Sequence, residues 1–302
     1  MTHTMPALGL VAVPSRRQKT LELAQEIERR GFSGIYCPSI GDGLALCQGI
    51  AQVTERIEIG TAITPIYYRS AADYAHTVSF IHEVSNGRFR FGIGVAHERS
   101  LSARGITAGK PLGDTRAFVE ALKATPRAGD LPPIVLATLR QKMIRLAAEI
   151  GDGMVFANAA RSHMASSLAA LPEQTPQPGN FFIANMIPTC VHDDIDAARA
   201  VNRKTLSSYA MLPNYRNYWR EAGYAMEMDA VEQCIAEKRL EDIGACLSDQ
   251  WLDDTTIAGP PSRVRDELAR WVESGVSTPI VVPSSANGGQ LVAFEEFFSI
   301  FD

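Results

Sequence analysis

The residues able to do chemistry in this chain are sparse and mostly uncharged. Where its short apolar runs end, the chain places Pro38-Ser39, Ala62-Ile63-Thr64, Gly94 through Glu98, Thr138 through Gln141, Asn158, His192 and Pro283 through Ser285. No His-x-x-His pair and no pair of carboxylates at ligand spacing stands among them, so neither a metal centre nor a hydrolytic site is expected. Neutral polar groups beside an imidazole suit the seat of an organic cofactor. His97 is competent to take or give a proton near neutrality, because an unperturbed imidazole titrates at about 6.5. Gly92 and Gly94 lie inside the run RFRFGIGV, within a strand and not in a strand-to-helix turn, so they make no dinucleotide signature. They are either packing glycines of a crowded interior or bare backbone that a flat ring can approach. Tyr67, Tyr68 and Arg69 either wall a pocket, with Arg69 holding an anionic group, or cap the helix that follows.

Those positions gain meaning from the elements that would carry them. Apolar runs over 7–13, 34–37, 57–63, 88–95, 134–137, 154–157, within 181–191, and over 278–282 read as strands. Segments of helical periodicity follow each of them, among them 20–27, 44–54, 70–84, 114–124, 141–149, 162–171 and 194–211. The first helix has Ser15 as a candidate cap, and the helix over 260–274 opens on Pro260-Pro261. Residues 212–254, with Tyr215, Tyr218, Trp219 and Tyr224, read as helical but not as a strand–helix unit. Their aromatics are core packing, or they belong to a lid or dimer surface. Eight strands, each followed by a helix, with an insertion before the eighth, predict an α/β chain of the (β/α)8 TIM barrel class forming one domain over 1–302. A doubly wound open sheet has the same alternation and stays open as the alternative. In a barrel the active site lies at the C-terminal ends of the strands, where the residues above fall.

Composition narrows the setting. The 302 residues are 46% hydrophobic and 21% charged, with a net charge of -5 and no Lys/Arg-rich block. A nucleic-acid partner and an anionic membrane surface are therefore not expected. No stretch reaches the roughly 18 apolar residues of a span. The apolar run at 7–13 lacks a basic region before it and a cleavage signal after it. Five cysteines, odd in number and without a C-x-x-C pair, fit a reducing compartment. A cytoplasmic location is expected.

The stretch RIEIGTAITP (56–65), followed by NGRFRFGIG (86–94), resembles the luciferase-like family of flavin- and deazaflavin-dependent oxidoreductases. AQEIERRGFSGIY (24–36), IVLATLRQKMIRLAAEIGDG (134–153), LPNYRNYWREAG (212–223) and the segment 257–282 fall in that family's order, so the resemblance covers nearly the whole chain. It implies a (β/α)8 barrel that holds coenzyme F420, a deazaflavin, or alternatively FMN, and no metal. The family's third strand ends in a cis peptide between non-prolyl residues beneath the ring. The matching positions are Ala62 and Ile63, with Ile63 against one ring face and Thr64 and Gly94 beside it.

The coenzyme's phosphate is implied to sit at the start of the helix after the fifth strand. There the family's Gly-rich turn is replaced by Thr138-Leu139-Arg140, with Arg140 either pairing with the phosphate or blocking it. After the second strand, Ser39 of Cys37-Pro38-Ser39 stands where many members carry Asp-His or a pair of histidines. That loss speaks against an oxygen-activating monooxygenase and leaves His97 as the expected proton carrier. Tyr67 and Arg69 are then expected at the substrate. The leading expectation is hydride transfer between coenzyme F420 and a small organic molecule. An FMN-dependent monooxygenase or reductase, and a barrel that binds flavin without turnover, are the alternatives. Family members are commonly dimeric, which implies a homodimer.

Overall fold

The computed structural model describes residues 5–173 and 181–302. They fall into two compact units, one of residues 5–156, 170–173 and 181–184, the other of 157–169 and 185–302.

In the first unit strands and helices alternate: β1 (Ala7–Gly9), α1 (Arg17–Arg29), β2 (Gly34–Cys37), α2 (Gly43–Val53), β3 (Glu58–Thr61), β4 (Thr64–Pro65), α3 (Ala71–Val84), β5 (Phe89–Gly94), α4 (Glu98–Ser102), α5 (Pro111–Lys123), β6 (Ile134–Ala137), α6 (Gln141–Ile150) and β7 (Gly153–Ala157). Neighbouring strands pair in parallel in the order β1, β2, β3, β5, β6, β7, and the two-residue β4 pairs with the end of β5. Register sets Leu8 beside Ile35 and Ile35 beside Ile59, all fully buried. Strands covered on both faces are near-continuous apolar runs, which is why they could be read without alternation. The helices bury one stripe each. In α1 it is Thr20, Ala24 and Ile27, spaced by four and three. Asp42 caps α2 by accepting from the amide of Ala45, and Ser70 caps α3 by accepting from that of Asp73.

Three local expectations shift. The run 7–13 is a strand only to Gly9; Leu10 still donates its amide to the Tyr36 carbonyl at 3.1 Å, after which the chain leaves the ladder. Ser15 does not cap α1: it sits at φ +66 in a turn, and Arg16 occupies the cap position. The run 57–63 is a strand only over Glu58–Thr61, and after a break at 62–63 the two-residue β4 pairs with the end of β5, the strand that β3 also pairs with.

The second unit holds α7 (Met164–Leu168), most of β8 (Phe182–Val191), α8 (Ile195–Ala210), α9 (Pro213–Glu221), α10 (Ala225–Ala236), a 3-10 turn (Leu240–Cys246), α11 (Asp249–Thr255), β9 (Ile257–Gly259), α12 (Pro261–Glu273), β10 (Thr278–Ser284) and α13 (Gln290–Phe298). β9, parallel to β8, is an additional strand that the sequence reading missed, because three residues are too few to stand out as a run. The aromatics of 212–224 pack inward. Tyr218 and Trp219 are fully buried, and Trp219 meets Trp251 edge-on with ring centroids 4.7 Å apart.

Candidate active site

Every residue singled out for cofactor, substrate or catalysis belongs to the first unit. Its foundation is backbone. Between β3 and β4 the Ala62–Ile63 peptide bond is cis. The Ala62 amide donates to the Cys37 carbonyl at 2.9 Å, and the Thr61 hydroxyl donates to the Gly92 carbonyl at 2.7 Å. A Cβ on Gly92 would stand 1.8 Å from the Thr61 carbonyl oxygen, so this glycine is a packing requirement.

Gly94 is crowded by side chains. A Cβ there would lie 2.8 Å from Ala137 Cβ and 3.1 Å from Ile63 Cδ1 and Cγ1. Its carbonyl accepts from the Ile66 amide at 3.0 Å. Ile63, Gly94 and Ala137, from the ends of β3, β5 and β6, therefore meet at one place. Ile63 and Ala137 are only half-buried there, while Ala62 and Thr64 are buried beside them. Ala137 is the member that residue type could not announce, since an alanine at a strand end carries no chemical signal.

Thr138 comes next along the chain. It is 5% exposed and its amide donates to the Val155 carbonyl at 2.9 Å, but its hydroxyl is buried without a hydrogen-bond partner. An unpaired buried hydroxyl costs about 1–3 kcal/mol, and Thr138 therefore has a donor to offer a bound molecule. Leu139 is half-buried, and Arg140 is exposed in the cap position of α6 with extended dihedrals, its side chain capping nothing. The Arg140 carbonyl accepts the amides of Met143 and Ile144, and no acidic residue stands in the first turn. The earliest amides of a helix lack intrahelical acceptors, so this end favours an anion.

His97 is half-buried just past β5. Its carbonyl opens α4 by accepting the amides of Ser100 at 2.8 Å and Leu101 at 3.1 Å. Burial lowers its pKa below the ordinary imidazole value, so the neutral ring, ready to accept a proton, prevails at neutral pH. Ser39 is exposed in the turn between β2 and α2. Tyr67 and Arg69 have partners within the protein. The Tyr67 hydroxyl donates to Asp114 Oδ2 at 2.7 Å, and burial together with that carboxylate pushes the phenol up to about 12. Arg69 Nη2 donates at 2.8 Å to Oδ2 of Asp42, whose other oxygen caps α2.

Two further strand-end positions begin and continue the second unit. Asn158 sits at φ +55, buried, with its carbonyl accepting from Trp219 Nε1 at 3.1 Å. The His192 ring accepts the Asp194 amide within a local turn. Among the described residues, no cluster of His, Cys, Asp or Glu is arranged to hold a metal ion, and no helix is long and apolar enough to cross a membrane. The five cysteines are free thiols.

Against known proteins, the model of the luciferase-like monooxygenase family matches residues 3–278. A Mycobacterium tuberculosis protein provisionally named as a coenzyme F420-dependent oxidoreductase is 23% identical over 321 aligned residues, covering 89% of this chain and 92% of its own. The solved coenzyme F420-dependent tetrahydromethanopterin reductase of Methanopyrus kandleri superposes with a TM-score of 0.76 at 16% identity, covering 97% of each chain. An F420-dependent secondary alcohol dehydrogenase, solved with an F420–acetone adduct, gives a TM-score of 0.72 at 16% identity and covers 98% of each chain. At such identity these structures show the fold alone, which is the α/β class of the eight-stranded parallel (β/α)8 barrel with a helical segment before the last strand.

Proposed function

The chain belongs to the luciferase-like monooxygenase family, and on that premise we propose that it is an oxidoreductase moving a hydride between coenzyme F420 and a small organic substrate. The observation that carries this reading is the junction of Ile63, Gly94 and Ala137, with the unpaired Thr138 hydroxyl next to it. A floor without side-chain bulk or charge beside one buried donor fits a flat heteroaromatic ring that needs a polar anchor at its edge. It does not fit a hydrated ion or a sugar. The names of the M. tuberculosis relative and of the two superposed structures support the deazaflavin over FMN. So does Cys37-Pro38-Ser39, where a histidine pair would suit oxygen chemistry.

When bound, the deazaflavin supplies a two-electron hydride donor or acceptor. This chain's residues do the rest. Ile63 and Gly94 would seat the ring, with Ala62 and Thr64 fixing the backbone beneath. The Thr138 hydroxyl would offer it a hydrogen bond. The first-turn amides of α6, with Leu139 and Arg140 leading into them, would hold the phosphate. Ser39 lies at the rim, and a ring nitrogen of neutral His97 takes the proton that leaves when the substrate is oxidised, or returns it on reduction.

Fluorescence titration with coenzyme F420 and, separately, with FMN tests the reading. Micromolar or tighter binding of the deazaflavin alone is expected. Binding of FMN alone moves the function to the flavin branch of the family. Binding of neither removes the enzymatic reading and points to Arg140 as an obstruction at the helix end.

A further inference from the structure

Between β5 and α5 the chain makes an excursion over residues 95–110 that contains His97 and α4. Strand-to-helix connections in α/β units usually take about 2–6 residues, and longer ones with their own structure tend to serve a site. This one is gripped by two adjacent tyrosines in the turn after β4. The Arg104 guanidinium, just past α4, lies 4.5 Å from the centre of the Tyr68 ring. The Tyr67 hydroxyl donates to Asp114 Oδ2 at 2.7 Å, and the same oxygen accepts the Gly109 amide at 2.9 Å. A Cβ at position 109 would stand 2.6 Å from that oxygen, so the carboxylate sits where a side chain would otherwise be. Inside the excursion Leu101 is buried to 1% exposure, and its carbonyl accepts the Ile106 amide at 3.0 Å. The carbonyl that starts this folded segment is that of His97 itself.

We infer that Asp114, acting through Tyr67 and Gly109, is a positioning residue for His97: it ties down the far end of the excursion, so that α4 and the imidazole at its head keep one orientation and stay shielded from water. The proton role of His97 rests on the function proposed above, whereas the tether stands on its own contacts. Among the described side chains of the excursion and its anchors, Glu98, Arg104, Lys110 and Asp114 are charged. Tyr67→Phe alters none of them, which makes it the decisive variant, with Asp114→Asn as its companion.

The test uses the full-length protein without coenzyme. The His97 imidazole signal, assigned by its loss in His97→Gln, is titrated by NMR, and hydrogen exchange is followed at the amides of 98–110. In both variants those amides are expected to exchange about tenfold faster. His97 is expected to titrate at higher pH, towards the ordinary 6.5, because burial is what holds it down. Arg116→Ala, which cuts the exposed Arg116–Glu149 pair on the same helix, is expected to change neither. Unchanged titration and exchange in Tyr67→Phe overturn the inference. So does faster exchange with an unmoved His97, since the excursion would then loosen without carrying the ring. Should wild type fail to bind coenzyme F420 while the NMR outcome holds, the proposed function falls and the tether stands.

Discussion

Replacing Arg88 should be the most damaging single change to the first unit that touches no candidate site residue. Arg88 is 9% exposed and, among the described residues, is ion-paired with no carboxylate, yet every guanidinium nitrogen is occupied. Nε donates to the Ser85 carbonyl at 2.8 Å. Nη1 donates to the Ile57 carbonyl at 2.8 Å and the Thr54 hydroxyl at 3.1 Å, and Nη2 to the carbonyls of Thr54 at 2.9 Å and Ala51 at 3.3 Å. Thr54 and Ser85 are the residues that close α2 and α3, so one cation meets two helix C-termini, where the backbone dipole favours positive charge. Its own carbonyl accepts the Ile59 amide at 3.0 Å, which ties the device to the start of β3. Burial lowers its pKa, with the more distant Glu28 and Glu58 opposing, the signature of a desolvated cation held by neutral acceptors.

Hydrogen bonds to a charged group contribute about 1.5–3 kcal/mol each before the desolvation of the ion is subtracted. Truncation leaves four carbonyls short of a donor but also releases the cost of burying the guanidinium. Each buried carbonyl left without a donor costs about 1–3 kcal/mol, so after the released desolvation is subtracted the balance for Arg88→Met should be a loss of about 3–5 kcal/mol. Against a urea slope of about 3 kcal/mol per molar, that lowers the unfolding midpoint by roughly 1–1.7 M. Arg88→Lys should recover less than half of the loss, because three donors on one nitrogen cannot span acceptors set at the corners of a planar fork. Urea unfolding followed by circular dichroism reads both. A loss below about 1 kcal/mol for Arg88→Met would refute the reasoning, since it would mean that water reaches these carbonyls and satisfies them without the side chain.

Glu28 of α1 accepts the amides of Glu55, Arg56 and Ile57; burial pushes its pKa up, but those three bonds outweigh it and hold the carboxyl low. A depressed pKa stabilises the fold above the unfolded-state value and is lost as pH falls through the folded one, so Glu28→Gln should be less stable than wild type at neutral pH, with the gap closing in acid. Equal stability at pH 7 would show that the clamp contributes nothing. Gly92→Ala should yield little folded protein, because its Cβ falls within the Thr61 carbonyl, whereas Gly94→Ala, which meets Ala137 Cβ at 2.8 Å and Ile63 at 3.1 Å, should fold with reduced stability and lose coenzyme affinity; expression, circular dichroism and coenzyme titration separate the two. Thr138→Val should leave thermal stability equal or slightly raised, as no partner is lost, while coenzyme F420 binds about tenfold more weakly, the worth of one buried hydrogen bond. Unchanged affinity would remove Thr138 from the cofactor site.

What could be read from the sequence, and what could not, divides by the range of the interaction. Strands such as 34–37 and 134–137 announce themselves because burial on both faces demands continuous apolar residues, and the helices because their buried stripes repeat locally. β9 escaped because three residues carry no period. Ser15 misled because a serine before a helical pattern is a cap only if its dihedrals allow it, and here φ is +66. Tyr67 and Arg69 are expected at the substrate from their types and their place after the third strand, and nothing nearby in the chain reveals their partners, Asp114 and Asp42, which are 47 and 27 residues distant. Arg88 reads as an ordinary polar residue opening a strand, and nothing near it in the chain reveals that it is buried.

The same distinction explains why the candidate site was half visible. Both glycines of FGIG were noticed, and two readings were left standing because a glycine states only that a side chain is unwelcome. The structure shows what crowds each of them. Gly92 is excluded from having a side chain by backbone, the Thr61 carbonyl, and Gly94 by the side chains of Ile63 and Ala137. Backbone cannot yield, so position 92 is held by the fold. At position 94 the Ile63 side chain can turn, but the Ala137 Cβ, 2.8 Å from an added Cβ, is fixed to its strand and cannot. On the proposed function, Ile63, Gly94 and Ala137 would contribute to the site by shape and Thr138 by one hydroxyl, beside the anion-favouring start of α6. Substitutions that add volume at Gly94 or Ala137, where the junction has no room, should therefore cost affinity for coenzyme F420 in the same titration.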